Sequence, residues 1–506
     1  MKLTYLLIAS LAQGGTGAAV PDAAYNVRVA PDLNTMSVEL CFGDGQAPAR
    51  LVSGEKEAER FRSPARVTRG QIELRENRRG IALRDVDSGE CIAYDIDLER
   101  LGSEGGERAL RREGESVLTS SGLWLWRPEK GFGDREARIS IDMPEGMAAS
   151  VPWPPVSGAG EVPTYRLADT PESWRDLTAF GRIETRRLEV GGATLRLAIA
   201  DADPAADPLE MATWIEEAAR AVSTLYGRFP LRSPQIVVVP IGRRSEAVPW
   251  AQVQRGGGAA AHFFVDQHRP LGEFRDDWTA THELSHMLLP YVARRDAWLS
   301  EGIASYYQNV LRARAGMITG EQAWEKLYAG FGRGLRGTGE ETLAEVSRDM
   351  HRSGAFMRVY WSGAAIALEA DVELRRRSGG DTTLDLALGR LAECCLPSDR
   401  TWTAREVMSR LDELVGTDVF MRLYAQHTQS IRFPDLEDAS NALGIQHRDG
   451  RLSYSDDGDA TRLRQAIMSS PQALLAEVDP PGHPNARSKK PAPDAGDSGG
   501  TRGSSP

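Results

Sequence analysis

The spacing of apolar residues changes twice along this chain, and those changes fix what it can fold into. From about residue 24 to 165, short segments alternate at period two: 36–42 (MSVELCF), 71–76 (QIELRE), 91–98 (CIAYDIDL), 123–126 (LWLW) and 139–143 (ISIDM). Gly, Pro, Asn and Asp separate them, which predicts strands of an antiparallel sandwich. Val151 to Pro155 marks a linker or domain edge. Strands and helices then interleave. Segments 183–190 and 193–200 flank Gly191-Gly192, the signature of a hairpin with a two-residue turn. Met211, Trp214, Ile215, Ala218, Val222 and Leu225 recur at three or four, as on an amphipathic helix. Strands follow over 235–241 and 261–266, then helices over 276–289 and 298–313. From about 320 to 470 the spacing is helical throughout. The expectation is a multidomain α+β chain: a β-sandwich over 20–165, a mixed α/β domain over 166–315 and an all-α domain over 316–475. The stretch 476–506 is poor in apolar residues and reads as a disordered tail.

The N-terminus reads as an export signal over 1–19. Lys2 precedes about ten mostly apolar residues, Leu3 to Ala12, the length of a signal core and too short to cross a bilayer. Small residues follow, and cleavage falls near Ala18 or Ala19; the alternative is a buried N-terminal strand. The chain is thus expected to be periplasmic or secreted, with no stable membrane insertion. In an oxidising compartment Cys41 and Cys91 can pair; the alternative is two separate buried thiols. Cys394 and Cys395 are neighbours, a strained arrangement for a bridge, and read as core residues at a helix end. The formal charge of 61 − 72 = −11 argues against nucleic acid as a partner. Oligomeric state is not legible.

His282-Glu283-Leu284-Ser285-His286 carries the chemistry. On a helix, positions i and i+4 share a face, so both imidazoles reach one metal ion, while Glu283 stands beside it to polarise water. The alternative is a helix with two solvated or hydrogen-bonded histidines. Apolar residues flank the polar face (TATHELSHMLL), and the chain has only eight histidines. After 14 intervening residues comes Glu301, in Trp298-Leu299-Ser300-Glu301-Gly302-Ile303-Ala304-Ser305-Tyr306-Tyr307. Catalytic zinc commonly takes two His and one carboxylate, leaving a position for water.

HELSH followed by WLSEGIASYY resembles the gluzincin metallopeptidases, in their glycyl-aminopeptidase-like and aminopeptidase N-like branches. Tyr360-Trp361-Ser362-Gly363, opening a helical run, is similar to the Y-x-K-G segment of those branches. The resemblance covers roughly residues 170–445. It implies a thermolysin-like catalytic domain and one Zn2+ per chain, held by His282, His286 and Glu301. It also implies Glu283 as general base and acid, and Tyr360 as the phenol that stabilises the oxyanion. Without the resemblance, Tyr360 reads as a core residue. The connection from His286 to Glu301 is shorter than in those branches, and Ser362 replaces their Lys. Arg255 to His262 (RGGGAAAH) matches the strand on which they bind substrate, but lacks the carboxylate that holds a free amine. Gly257, Gly258 and His262 are the candidate substrate contacts; the alternative for His262 is a strand residue facing solvent. The implied function is a zinc-dependent peptidase, aminopeptidase-like, acting on a peptide or protein. The alternatives are an inactive peptide-binding protein on the same fold and a zinc hydrolase of another bond.

Overall fold

The computed structural model describes residues 22–469, apart from 44–46, 69–73, 78–79, 85, 87–88, 107–108, 157–160, 172 and 449. The expected signal, half of the QIELRE segment and the expected tail lie outside the described residues. The N-terminal part is built of sheets. A six-stranded sheet runs in the order Thr164–Leu167, Ala137–Asp142, Ala23–Val29, Thr35–Phe42, Cys91–Asp97, Arg66–Val67. Over the predicted strand 36–42 the side chains alternate as the sequence predicts, with Met36, Val38, Leu40 and Phe42 buried and Ser37 exposed. The sandwich is not purely antiparallel, because Ala23–Val29 pairs in parallel with Ala137–Asp142.

Residues 123–126 are not a strand. Ser121–Leu123 form a 3₁₀ turn, and Leu123, Trp124, Leu125 and Trp126 are all buried. Their carbonyls are claimed by side chains: the Tyr94 and Tyr25 hydroxyls donate to Trp124 O and Trp126 O, at 3.2 and 2.9 Å. A run buried on every side has no period to read.

Cys41 and Cys91 face each other across adjacent strands and are bonded. Cys394 and Cys395 are also bonded to each other, which corrects their reading as core residues. They close the helix Leu384–Cys395, where the chain turns extended at Leu396; Cys394 is exposed and Cys395 is half-buried against the core.

The central sheet has the order Ile183–Val190, Ala193–Ala200, Gln235–Pro240, Ala260–Val265, Trp250–Gln254. The first pair is the expected hairpin, turning on Gly191 and Gly192 at φ 55° and 74°. The next two pairings are parallel, and the outermost strand returns antiparallel. Helix Pro208–Ser223 covers one face. It starts where the Asp207 side chain accepts from the amides of Leu209 and Glu210, with Pro208 in its first turn. On the other face Ala198, Val237 and Phe264 pack with Leu118 and Ala179 of the N-terminal sheets. Val151 and Trp153 are buried, and the Arg196 guanidinium donates to the carbonyls of Val151 and Pro152, at 2.8 and 3.1 Å. This stretch is therefore a packed seam between the N-terminal sheets and the central one.

The remainder is helical. Helices beginning after Thr319, Thr342 and Thr403 each carry a complete capping box, with Gln322, Glu345 and Glu406 as partners. Helix Ala297–Arg314 crosses helix Phe356–Ser378 at Gly302 and Gly363, where the two backbones touch. Among the described residues, no helix is long and apolar enough to cross a membrane.

Candidate metal centre

The expected helix over 276–289 is broken. A short helix, Leu271–Asp276, ends as Asp277 turns extended and its carboxylate accepts from the Thr279 amide at 2.7 Å. The helix Thr279–Ser285 then carries His282 and tightens into a 3₁₀ turn from His286 to Leu288. The two imidazoles meet edge to face, 4.9 Å apart between centroids. The short connection to Glu301 is braced from outside. Trp402 pairs with the chain there, its amide donating to Tyr291 O and its carbonyl accepting from Ala293 N, both at 2.8 Å. Arg255 donates to the His286 carbonyl at 2.9 Å, fixing the end of the first helix.

Glu301 faces both histidines. Its Oε2 lies 3.3 Å from His282 Nε2 and 3.5 Å from His286 Nε2. A tetrahedral ion with bonds of ~2.0–2.1 Å needs donor atoms ~3.3–3.4 Å apart, so these three fit zinc. On the far side of the His282 ring, Nδ1 lies 2.8 Å from Oε1 of Gln308. An amide oxygen only accepts, so Nδ1 carries the proton and Nε2 keeps its lone pair for a metal. Sequence reasoning did not find Gln308. The signal was its place two helical turns beyond Glu301, on the same face.

Burial raises the Glu283 carboxyl to about 7; the His282 ring opposes the rise and Glu301 adds to it. Burial also works upward on Glu301, but His286 and His282 outweigh it and hold that carboxyl well below its usual range. Tyr360 stacks its ring on His282, with centroids 6.0 Å apart and planes 14° from parallel. Burial raises its phenol, and Glu301 and Glu283 add to the rise, so it stays a neutral donor. Gly363, one turn along the same helix, sits against Gly302, the neighbour of Glu301. The structure thus brings His282, Glu283, His286, Glu301 and Tyr360 to one place. A cleft of about 610 Å³, bordered by strand Trp250–Gln254, opens onto His282, Glu283 and Tyr360.

The three other candidates lie elsewhere. Gly257 and Gly258 form a turn against Trp153 and Pro152 of the seam. His262 is on the inner strand and fully buried, which drives its pKa down to about 3. Side chains alternate along a strand. Phe263 packs on Trp214 of the helical face, so His262 shares the opposite face with Phe264, away from the metal helix. The strand bordering the cleft is Trp250–Gln254, which the sequence analysis did not find.

A model of the M61 glycyl aminopeptidase family matches residues 289–366, which span Glu301 and Tyr360. No curated protein matches. Among solved structures, the chain is similar to an aminopeptidase N family protein from Idiomarina loihiensis, with TM-score 0.62 and 15% identity over 84% of this chain and 78% of that one. It is also similar to an M1 zinc metallopeptidase from Deinococcus radiodurans, with TM-score 0.50 and 16% identity over 82% and 94%. A variant of that enzyme bound to a Tyr-Ser-Ala substrate matches with TM-score 0.50 and 15% identity, over the same shares. Fold and family match agree with the resemblance read from the motifs.

Proposed function

We propose that this chain, by family match and fold a zinc metallopeptidase of the gluzincin, aminopeptidase-like type, cleaves peptide bonds outside the cytoplasm. The observation that carries the reading is the set of donor distances at His282, His286 and Glu301, with Glu283 and Tyr360 at the same point. A zinc ion held there supplies Lewis-acid polarisation and makes water acidic. Glu283 takes a proton from the attacking water and passes it to the leaving amine. The Tyr360 hydroxyl donates to the oxygen of the scissile carbonyl as negative charge develops on it. The free edge of Trp250–Gln254 offers main-chain groups to an extended peptide, which would join the sheet as a further strand. Export is supported by the N-terminal Lys2 and Leu3–Ala12 pattern and by the Cys41–Cys91 bridge. The presence of all three ligands, the base and the phenol favours an active enzyme over an inert binding protein.

The test is Glu283→Gln. Metal analysis should find about one zinc per chain in both proteins, because Glu283 is not a ligand. Peptide cleavage should fall by at least ~10²–10⁴-fold. Zinc lost together with activity would make Glu283 a ligand or a structural residue.

A further inference from the structure

The walls of the cleft carry a charge pattern that the reaction does not require. Its lining includes Glu246, Asp276 and Asp277 beside the half-buried Glu283 and, among the described residues, no Lys or Arg. Glu273 is also there, but is paired with Arg269 at 3.0 Å. Among the described residues, neither Glu246 nor Asp276 has an ion-pair partner within 4 Å. Arg312, buried behind the aspartates, gives its Nη2 to the main-chain carbonyls of Arg275 and Asp276. Burial pushes the Asp277 carboxyl upward; the hydrogen bonds from Thr279 and the charge of Arg312 pull it back, and Glu246 adds a last push upward.

One exposed indole completes the walls. Trp278 is 45% exposed, although large aromatics are normally buried. It stands edge-on to His282 at 5.2 Å, whereas the Trp250 indole stacks on Phe264 on the other face of the sheet. An exposed indole beside carboxylates makes a surface for an organic cation.

We propose that this cleft selects peptides with a Lys or Arg side chain beside the bond to be cleaved, held against Trp278 by Glu246, Asp276 and Asp277. This rests on reading the cleft as a peptidase site. The side chain, not the terminal amine, is the cation that fits. Asp277 stands before the helix, whose first residue Thr279 is itself about 4.5 Å of helical rise ahead of His282. A terminal amine lies only ~2.5 Å from the scissile carbonyl carbon. A long aliphatic stem ending in a charge spans the difference.

The experiment uses the full zinc-loaded chain and peptides of one frame, with Arg, Lys, Leu or Glu before the scissile bond, each free or N-acetylated. Binding of the same peptides to the zinc-loaded Glu283→Gln protein, read by tryptophan fluorescence, runs alongside. Arg and Lys peptides should be cleaved and bound roughly tenfold better than Leu, with Glu last. The preference should shrink as salt rises, and Glu246→Gln with Asp277→Asn should narrow it. Equal handling of Arg and Leu peptides would overturn the proposal and leave the peptidase reading intact. A preference that vanishes on N-acetylation would assign the cation to the terminal amine and also overturn it. Selective binding of Arg peptides without cleavage of any peptide would uphold the proposal and overturn the peptidase reading.

Discussion

The contact between Gly302 and Gly363 sets the distance between a metal ligand and the phenol, so Gly363→Ala should damage catalysis without touching a reacting group. A Cβ at Gly363 would lie 2.7 Å from Gly302 Cα and 2.9 Å from Trp298 C, and closer still to the Trp298 carbonyl oxygen. Ordinary contact begins at ~3.5 Å, so the two helices must part by at least about 1 Å, and by more where the carbonyl oxygen of Trp298 is met. Backbone lies on both sides, and no side chain can rotate away. Glu301 is tied to the histidines of the neighbouring helix, so the helix carrying Tyr360 is the one that yields. A 1 Å misplacement costs on the order of 10²-fold in rate, and overpacking costs ~1–3 kcal/mol of stability. The assay is kcat and KM on one peptide, beside zinc content and a thermal melt. We expect kcat down about 10²-fold, KM and zinc content close to normal, and a lower melting temperature. Gly332→Ala is the control: its Cβ would meet only the end of the Arg336 side chain, at 3.4 Å, and the protein should be unharmed. A normal kcat in Gly363→Ala would refute the idea that this crossing positions Tyr360. Loss of zinc would move the damage to the ligand set.

Three further outcomes follow from the same geometry. Glu301→Ala should weaken zinc binding severely in equilibrium dialysis while leaving the circular dichroism spectrum near normal; unchanged affinity would place the third ligand elsewhere. Tyr360→Phe should lower kcat by about 10²–10³-fold with little change in KM, because the hydroxyl acts only as charge develops; normal turnover would return Tyr360 to the core. In metal-free protein, a Glu283 carboxyl raised to about 7 holds its proton more tightly folded than unfolded. Its contribution is therefore complete below about pH 4.5 and lost as pH rises through 7, worth roughly 3 kcal/mol. Paired melts of chelator-treated wild type and Glu283→Gln should diverge over that window, and parallel curves would refute the shift.

What the sequence revealed and what it concealed follow from how local each signal is. The gathering of His282, His286 and Glu301 was legible because i, i+4 spacing and a helical carboxylate are properties of a few adjacent residues, and HELSH with WLSEG contains them whole. The hairpin at Gly191-Gly192 was legible for the same reason. The strand that borders the cleft was not. Trp250–Gln254 has half-buried residues at four positions and an exposed Trp250, so no alternation marks it, and only its pairing with Ala260–Val265 makes it a strand. Missing it shifted the expected substrate contacts onto the next segment. Gly257 and Gly258 do need to be small, but what approaches them is Trp153 and Pro152, from a hundred residues earlier. A glycine run reports that something comes close and is silent on what. Gln308 was hidden because its role depends on which way the His282 ring turns, and the short connection before Glu301 was explained only by Trp402, far along the chain. The same limit applies to the acidic walls. Glu246 and the pair Asp276-Asp277 stand in separate, ordinary-looking polar stretches, and only the fold gathers them beside the exposed Trp278 indole and makes them a means of selection.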